Sequence, residues 1–127
     1  MTERSTNLFR PAIYISGPMA GRPEKNHELF DECAADLRSK GWRVENPAEH
    51  FGGALDLPRH VFLATDIIVL MTYARAICLL PEWETSDGAK LEAQIGVDRL
   101  YDFFSWDPGK GLQVEHRSTI KEQLSAL

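Results

Sequence analysis

Leu79-Leu80-Pro81-Glu82-Trp83-Glu84-Thr85-Ser86-Asp87-Gly88-Ala89-Lys90-Leu91-Glu92-Ala93-Gln94-Ile95-Gly96 reads as the end of a buried strand, a polar turn and the opening of a helix. Ser86 or Asp87 suits the N-cap, because a short oxygen-bearing side chain accepts from the free N–H groups of the first turn. Gly88 and Ala89 are small enough for a ligand to approach the backbone. Free amides and the helix dipole together favour an anion at that turn. Glu92 follows about a turn and a half later, aimed at whatever the turn holds. An anion cradle with a carboxylate at its floor is the layout of an active site.

The same order of strand, loop and helix recurs on either side. Upstream, residues 12–16 form a short apolar, β-branched run stopped by Gly17-Pro18, hence a buried strand. Pro23 suits a first helical turn, and the helix runs to about Lys40 with Leu29, Phe30, Cys33, Ala34 and Leu37 on one face; Gly41 ends it. Residues 42–45 make a second strand closed by Asn46-Pro47, and residues 48–57 a Gly-containing loop long enough to be a candidate lid. Pro58 opens a helix through about Met71, with Val61, Phe62, Ala64, Ile68 and Leu70 expected mainly inside. Residues 76–80 are the third strand and residues 86–96 the helix already described.

Downstream, residues 100–104 are expected as a fourth strand, residues 107–111 as a turn, residues 112–115 as an extra fifth strand and residues 118–127 as a final helix. Residues 1–10 lack periodicity and are expected as a frayed tail. The alternation predicts one α/β domain over residues 1–127, a parallel sheet in the order 2-1-3-4 with helices on both faces. In such a sheet the ligand sits beyond the carboxyl ends of the strands, at the topological switch.

Composition narrows the ligand. The 127 residues are 43% hydrophobic and 26% charged, ordinary for a globular chain with one core. A net charge of −5 and a pI near 5.3 argue against a nucleic-acid polymer, whose affinity rests on clustered Lys and Arg. A small phosphorylated molecule needs only backbone donors and one or two cations. No apolar run approaches the roughly 18 residues of a membrane span, and the first ten residues lack a signal-peptide core, so a cytoplasmic protein without membrane attachment is expected. Cys33 and Cys78 lack C-x-x-C spacing, and buried free thiols are a better reading than a disulfide. His27, His50, His60 and His116 are dispersed without metal-ligand spacing, so no metal is expected. The Gly17–Gly21 loop is not G-x-G-x-x-G, and no G-K-[ST] occurs.

The strand-end rim collects Ser16, Gly17, Pro18, Met19, Gly21 and Arg22 after the first strand, and Asn46 after the second. After the third it collects Trp83, Ser86, Asp87, Gly88, Ala89 and Glu92. Each chemical reading has a plain one beside it. Glu92 is a solvated helix Glu or a carboxylate of the site; Asp66, amid Ala64-Thr65 and Ile67-Ile68, is a capping or salt-bridging Asp or a second carboxylate. Two carboxylates at one rim can divide glycosidic cleavage, one as nucleophile and one as acid or orienter. Tyr14 is a core aromatic or a phenol bonded to a carboxylate; Ser86 is a cap that can also touch phosphate; Arg22 is a surface charge or a phosphate clamp.

Tyr14-Ile15-Ser16-Gly17-Pro18-Met19-Ala20-Gly21, Asn46-Pro47-Ala48-Glu49 and Leu79 to Ala89 together resemble the small, mostly phage and bacterial DUF4406 proteins of the nucleoside 2-deoxyribosyltransferase-like superfamily. The resemblance covers about residues 12–105 and implies a flavodoxin-like three-layer sandwich. By position, Glu92 matches the nucleophile that forms a covalent glycosyl ester, Asp66 the Asp that assists the departing base, and Tyr14 the strand-1 Tyr that orients the nucleophile. Ser86, six residues before Glu92, falls where nucleotide hydrolases of the superfamily place a phosphate-binding Ser. Arg75 stands where many relatives carry Asp, and Gln94-Ile95-Gly96 replaces the usual Leu-Gly-x-Ala.

The resemblance implies an N-glycosidase for a (deoxy)nucleoside 5′-monophosphate, working without metal or organic cofactor. It also implies a homo-oligomer in a bacterial or phage-infected cytoplasm, since relatives often complete their sites across subunits. A deoxyribosyltransferase and a non-catalytic nucleotide-binding module are the alternatives; release of free base separates the binder from the enzymes.

Overall fold

β1 (Ala12–Ser16) is buried along its whole length, as expected of a strand covered on both faces. The computed structural model describes residues 11–127; the expected tail at residues 1–10 lies outside the described residues. After β1 come a 3-10 turn (Pro23–Asn26), α1 (His27–Ser39), β2 (Val44–Glu45), a second 3-10 segment (Pro47–Gly53), α2 (Arg59–Tyr73) and β3 (Ala74–Leu79). A third 3-10 turn (Trp83–Thr85), α3 (Asp87–Asp98), β4 (Asp102–Asp107), β5 (Gly111–Glu115) and α4 (Arg117–Ser125) complete the chain. No helix among the described residues is long and apolar enough to cross a membrane.

The sheet order is β2-β1-β3-β4-β5. The first four strands are parallel in the expected 2-1-3-4 order, and β5 adds an antiparallel edge. That hairpin turns at Asp107, whose Oδ1 accepts from the backbone N–H groups of Gly109 and Lys110, both at 2.8 Å. Alternate strand residues feed separate cores, the period-2 consequence of the pleat. Ile13, Ile15, Ala76 and Cys78 pack with Phe30, Cys33, Ala34 and Leu37 of α1. Tyr14, Ile77, Leu79 and Phe103 pack on the other face with Leu70, Ala93, Val97 and Ile120 of α2, α3 and α4. The result is a three-layer, flavodoxin-like α/β sandwich. Cys33 and Cys78 are both buried and free, their Sγ atoms 4.0 Å apart beneath α1.

Several boundaries and one helix face differ from expectation. Trp42 is not in β2, because its N–H closes the end of α1 on Leu37 O at 3.1 Å and its ring packs edge-on against Phe104. Leu100 lies before β4 in a left-handed conformation (φ 61°) that turns the chain out of α3. On α2, Leu70 and Asp66 are buried, whereas Ala64 is exposed and Ile68 is 63% exposed. That helix is apolar almost all round, so periodicity does not fix its rotation; the observed one turns Leu70 into the core and Asp66 towards the strand ends.

The segment after β2, a candidate lid in the sequence, forms a strap pinned to α1 and α2 by side-chain contacts. Asn46 caps it by accepting from Ala48 N–H at 3.0 Å and donates to Asp31 on α1 at 3.0 Å. Arg38 of α1 donates to both oxygens of Glu49, at 2.6 and 2.8 Å. Phe51 meets Phe62 of α2 edge to face, with centroids 5.7 Å apart.

Candidate functional site

Tyr14 and Ser16 are two residues apart on β1 and therefore share a face, the face that α3 covers. Glu92 of α3 meets both. Tyr14 Oη donates to Glu92 Oε2 at 2.6 Å, and Ser16 Oγ donates to Oε1 at 2.7 Å. Each carboxylate oxygen thus has one hydroxyl donor, which fixes the plane of the group. α3 reaches this depth because Ser86 caps it, Oγ accepting from Ala89 N–H at 3.1 Å, and because Gly96 lies flat on the sheet. A Cβ at Gly96 would come within 2.5 Å of Ile77 Cδ1 and 2.8 Å of Phe103 Cζ.

Burial dominates the electrostatics. It pushes Glu92 up to about 7, with the nearby Asp66 charge adding to the rise and the Ser16 and Tyr14 hydrogen bonds opposing it. Burial and then Glu92 hold the Tyr14 phenol well above its usual range, so it stays a donor. Burial also raises Asp66, against a hydrogen bond with His50, whose Nδ1 lies 2.7 Å from Asp66 Oδ1.

Glu92, Tyr14 and Asp66 line a cavity of about 220 Å³ at the carboxyl ends of β1 and β3. Its walls are Ile15, Met19, Ala20, Phe30, Pro47, Phe62 and Leu63; Gly17, Ser86 and Gly88 complete the rim. Two cations, Lys25 and Arg59, also line it. Lys25 Nζ sits 4.1 Å over the Phe62 ring, on a backbone where Glu24, Lys25 and Asn26 are all left-handed. The cavity therefore has two carboxyl groups, apolar walls, a capped helix start and two cations. Among the described residues, no three His, Cys, Asp or Glu side chains are grouped to hold a metal ion.

Of the residues expected from sequence, Tyr14, Gly17, Met19, Asp66, Ser86, Gly88 and Glu92 line the cavity, and Ser16 supports Glu92 from behind. The others do different work. Trp83 is buried in the core beside α3, because the 3-10 turn folds its indole inward. Arg22 is held by Glu82 at 2.7 Å and is not a lining cation. Asp87 is exposed and pairs with Lys90 at 3.3 Å. Asn46 caps the strap, and Pro18 O accepts from Asn26 Nδ2 at 2.9 Å. Gly21 is an exposed left-handed turn residue (φ 76°), and Ala89 packs into the core behind its capped N–H.

Sequence reasoning missed His50, Lys25 and Arg59. His50 is a lone histidine in a loop, and its partner is 16 residues away, so no spacing signals it. Lys25 follows Pro23 in a stretch that reads as ordinary helix, while its left-handed backbone is a tertiary outcome.

No curated protein matches the chain, and no solved structure matches it. The family model for a domain of unknown function, DUF4406, matches residues 11–100, a span that holds Tyr14, Ser16, His50, Asp66 and Glu92, and the chain belongs to that family.

Proposed function

We propose that this protein is an N-glycosidase that cleaves the base–sugar bond of a (deoxy)nucleoside 5′-monophosphate. The observation that carries the reading is the carboxylate of Glu92, clamped by Tyr14 and Ser16 at 2.6 and 2.7 Å in a cavity that also holds Asp66. A buried carboxylate with both oxygens oriented is suited to attack a sugar C1′ and to offset the charge of an oxocarbenium-like transition state. Asp66, raised by burial, is suited to carry the proton that the departing base takes. Glu92 then holds the sugar as an ester until water releases it and restores the carboxylate.

Lys25, Arg59 and the Ser86–Gly88 helix start supply charge and backbone donors for the 5′-phosphate. The apolar walls suit a base and a sugar face. The reading includes a reducing cytoplasm, which suits the free Cys33 and Cys78, and a homo-oligomer, which suits the exposed apolar Ile68 and Met71 on α2.

Incubation with a panel of nucleosides and nucleoside 5′-monophosphates, followed by chromatography, tests it. Free base and sugar 5-phosphate are expected from a monophosphate. Base transfer to a second added base would make it a transferase. Tight binding with the nucleotide recovered intact would overturn the enzymatic reading in favour of a binding module.

A further inference from the structure

The strap between β2 and α2 is pinned through Asn46 and Glu49 to α1 and through Phe51 to α2. Between these pins it presents one titratable ring to the site. His50 Nδ1 lies 2.7 Å from Asp66 Oδ1, and the two side chains are only 14% and 12% exposed. The backbone leaves helical geometry at His50, and Phe51 is left-handed (φ 55°), a conformation that persists in a non-glycine residue only where the surroundings hold it. Phe51 already anchors the strap by packing. The imidazole adds a hydrogen bond that packing does not need.

We infer that His50 is a positioning residue for the acid step: its Nδ1–H donates to Asp66 Oδ1, so that the transferable proton sits on Oδ2, the oxygen left for a ligand. This rests on the glycosidase reading. As the C1′–N bond breaks, its electron pair goes to the base, the Oδ2 proton goes to the base, and a Glu92 oxygen forms the bond to C1′. The Asp66 carboxylate left behind keeps the His50 N–H, which offsets the burial that otherwise penalises its charge. In the second half, water attacks C1′, its proton returns to Asp66, and Glu92 leaves as the carboxylate.

The test compares two leaving groups in the same preparation: a nucleoside 5′-monophosphate that the wild type cleaves, and the matching sugar 5-phosphate with 4-nitrophenolate as aglycone. Nitrophenolate departs with little need of a proton. His50→Ala and His50→Phe should each lower kcat/KM for the nucleotide about 10–100-fold, the scale of a weakened acid, while changing kcat/KM for the nitrophenyl substrate, which reports only as far as the glycosyl ester, less than about threefold. His50→Asn, which keeps an N–H near the Nδ1 position, should recover most of the loss. Reading the ratio of the two substrates cancels any loss of folded protein. Equal loss for both substrates, or no loss for either, in the Ala and Phe variants would overturn the inference while leaving the glycosidase reading intact. A wild type that releases base from no nucleotide would overturn both.

Discussion

Tyr14 Oη and Glu92 Oε2 are 2.6 Å apart across 78 residues of sequence, and that bond ties the inner strand β1 to the helix that covers it. It is a short, buried hydrogen bond from a hydroxyl to a carboxylate, of the charge-assisted kind. Together with Ser16 it partly offsets the burial of Glu92, yet the group still titrates near 7 and not near its ordinary 4.5. The protein therefore keeps a costly carboxylate in its interior, where an apolar side chain would pack at less cost.

Glu92→Gln tests both sides of that bargain. Base release should fall about 10³-fold or more, because an amide cannot form the glycosyl ester or stabilise the transition-state charge, while nucleotide binding persists. Stability should move the other way. The folded protein keeps the Glu92 proton up to about pH 7, whereas the unfolded chain releases it near 4.5. Within that window the folded state binds more protons, so wild-type stability falls as pH rises, by on the order of 3 kcal/mol in all. The difference between variant and wild type in urea unfolding should therefore grow from pH 4.5 to pH 7 and then level off.

The same ionisation should shape the rate. kcat/KM for release of 4-nitrophenolate from the sugar 5-phosphate, a leaving group that needs no proton from Asp66, should rise with pH through about 7 as Glu92 becomes the carboxylate. Tyr14→Phe removes one of the two hydrogen bonds that hold the carboxylate form, so the rise should move to higher pH. A pH–rate profile of the two proteins checks this. A rise at unchanged pH in Tyr14→Phe would mean that the limb belongs to another group.

Much of this site was legible because its parts are local. Ser86 as a cap follows from its residue type ahead of the helix, and Tyr14 with Ser16 on one face follows from the two-residue period of a strand. Glu92, by contrast, reads from its helix as either a solvated or a site carboxylate and is singled out by the resemblance to DUF4406 proteins. The parts that were not legible depend on rotation or on loops. The α2 sequence is apolar on nearly every side, so nothing in it chooses Asp66 and Leu70 over Ile68 for the interior. The choice is made by what α2 packs on. His50 has no spacing that marks it, and the strap that delivers it takes its shape from Asp31, Arg38 and Phe62, residues of two other elements. Arg22 reads from its loop as either a surface charge or a phosphate clamp, and its pairing with Glu82, on the neighbouring turn, is not visible in that loop.

Phosphate selectivity should follow the cations that line the cavity. Lys25→Ala and Arg59→Ala should each weaken a nucleoside monophosphate by about 1.5–3 kcal/mol, roughly 10–150-fold, while leaving the matching nucleoside nearly unaffected. Arg22→Ala should change neither, since its guanidinium is held by Glu82 at 2.7 Å. Titration calorimetry with the nucleoside and its monophosphate reads both. Equal weakening of the two ligands by Lys25→Ala would assign that residue to the Phe62 ring and not to the phosphate.

Two glycines on α3 should separate packing from binding. Gly96 is pressed on the sheet: an added Cβ meets Ile77 Cδ1 at 2.5 Å and Phe103 Cζ at 2.8 Å, and both side chains are buried. Gly96→Ala must lift the helix or displace two core residues, at a cost of about 1–3 kcal/mol that exceeds the helix-propensity gain of about 1 kcal/mol. Glu92 lies one turn earlier on the same face, so a lifted α3 also draws its carboxylate from Tyr14 and Ser16. Turnover per folded molecule should then drop along with stability. Gly88 is different, because an added Cβ would find nothing nearer than Leu63 Cδ1 and Ser86 Oγ, each at 3.9 Å. Gly88→Ala should leave the unfolding free energy unchanged or slightly raised, yet weaken nucleotide binding, because the methyl occupies the cavity rim where the backbone is open to the ligand. Thermal unfolding and calorimetry on the two variants give opposite patterns if α3 serves as described. Loss of stability in Gly88→Ala, or full turnover in Gly96→Ala, would contradict the seating of α3 against β1.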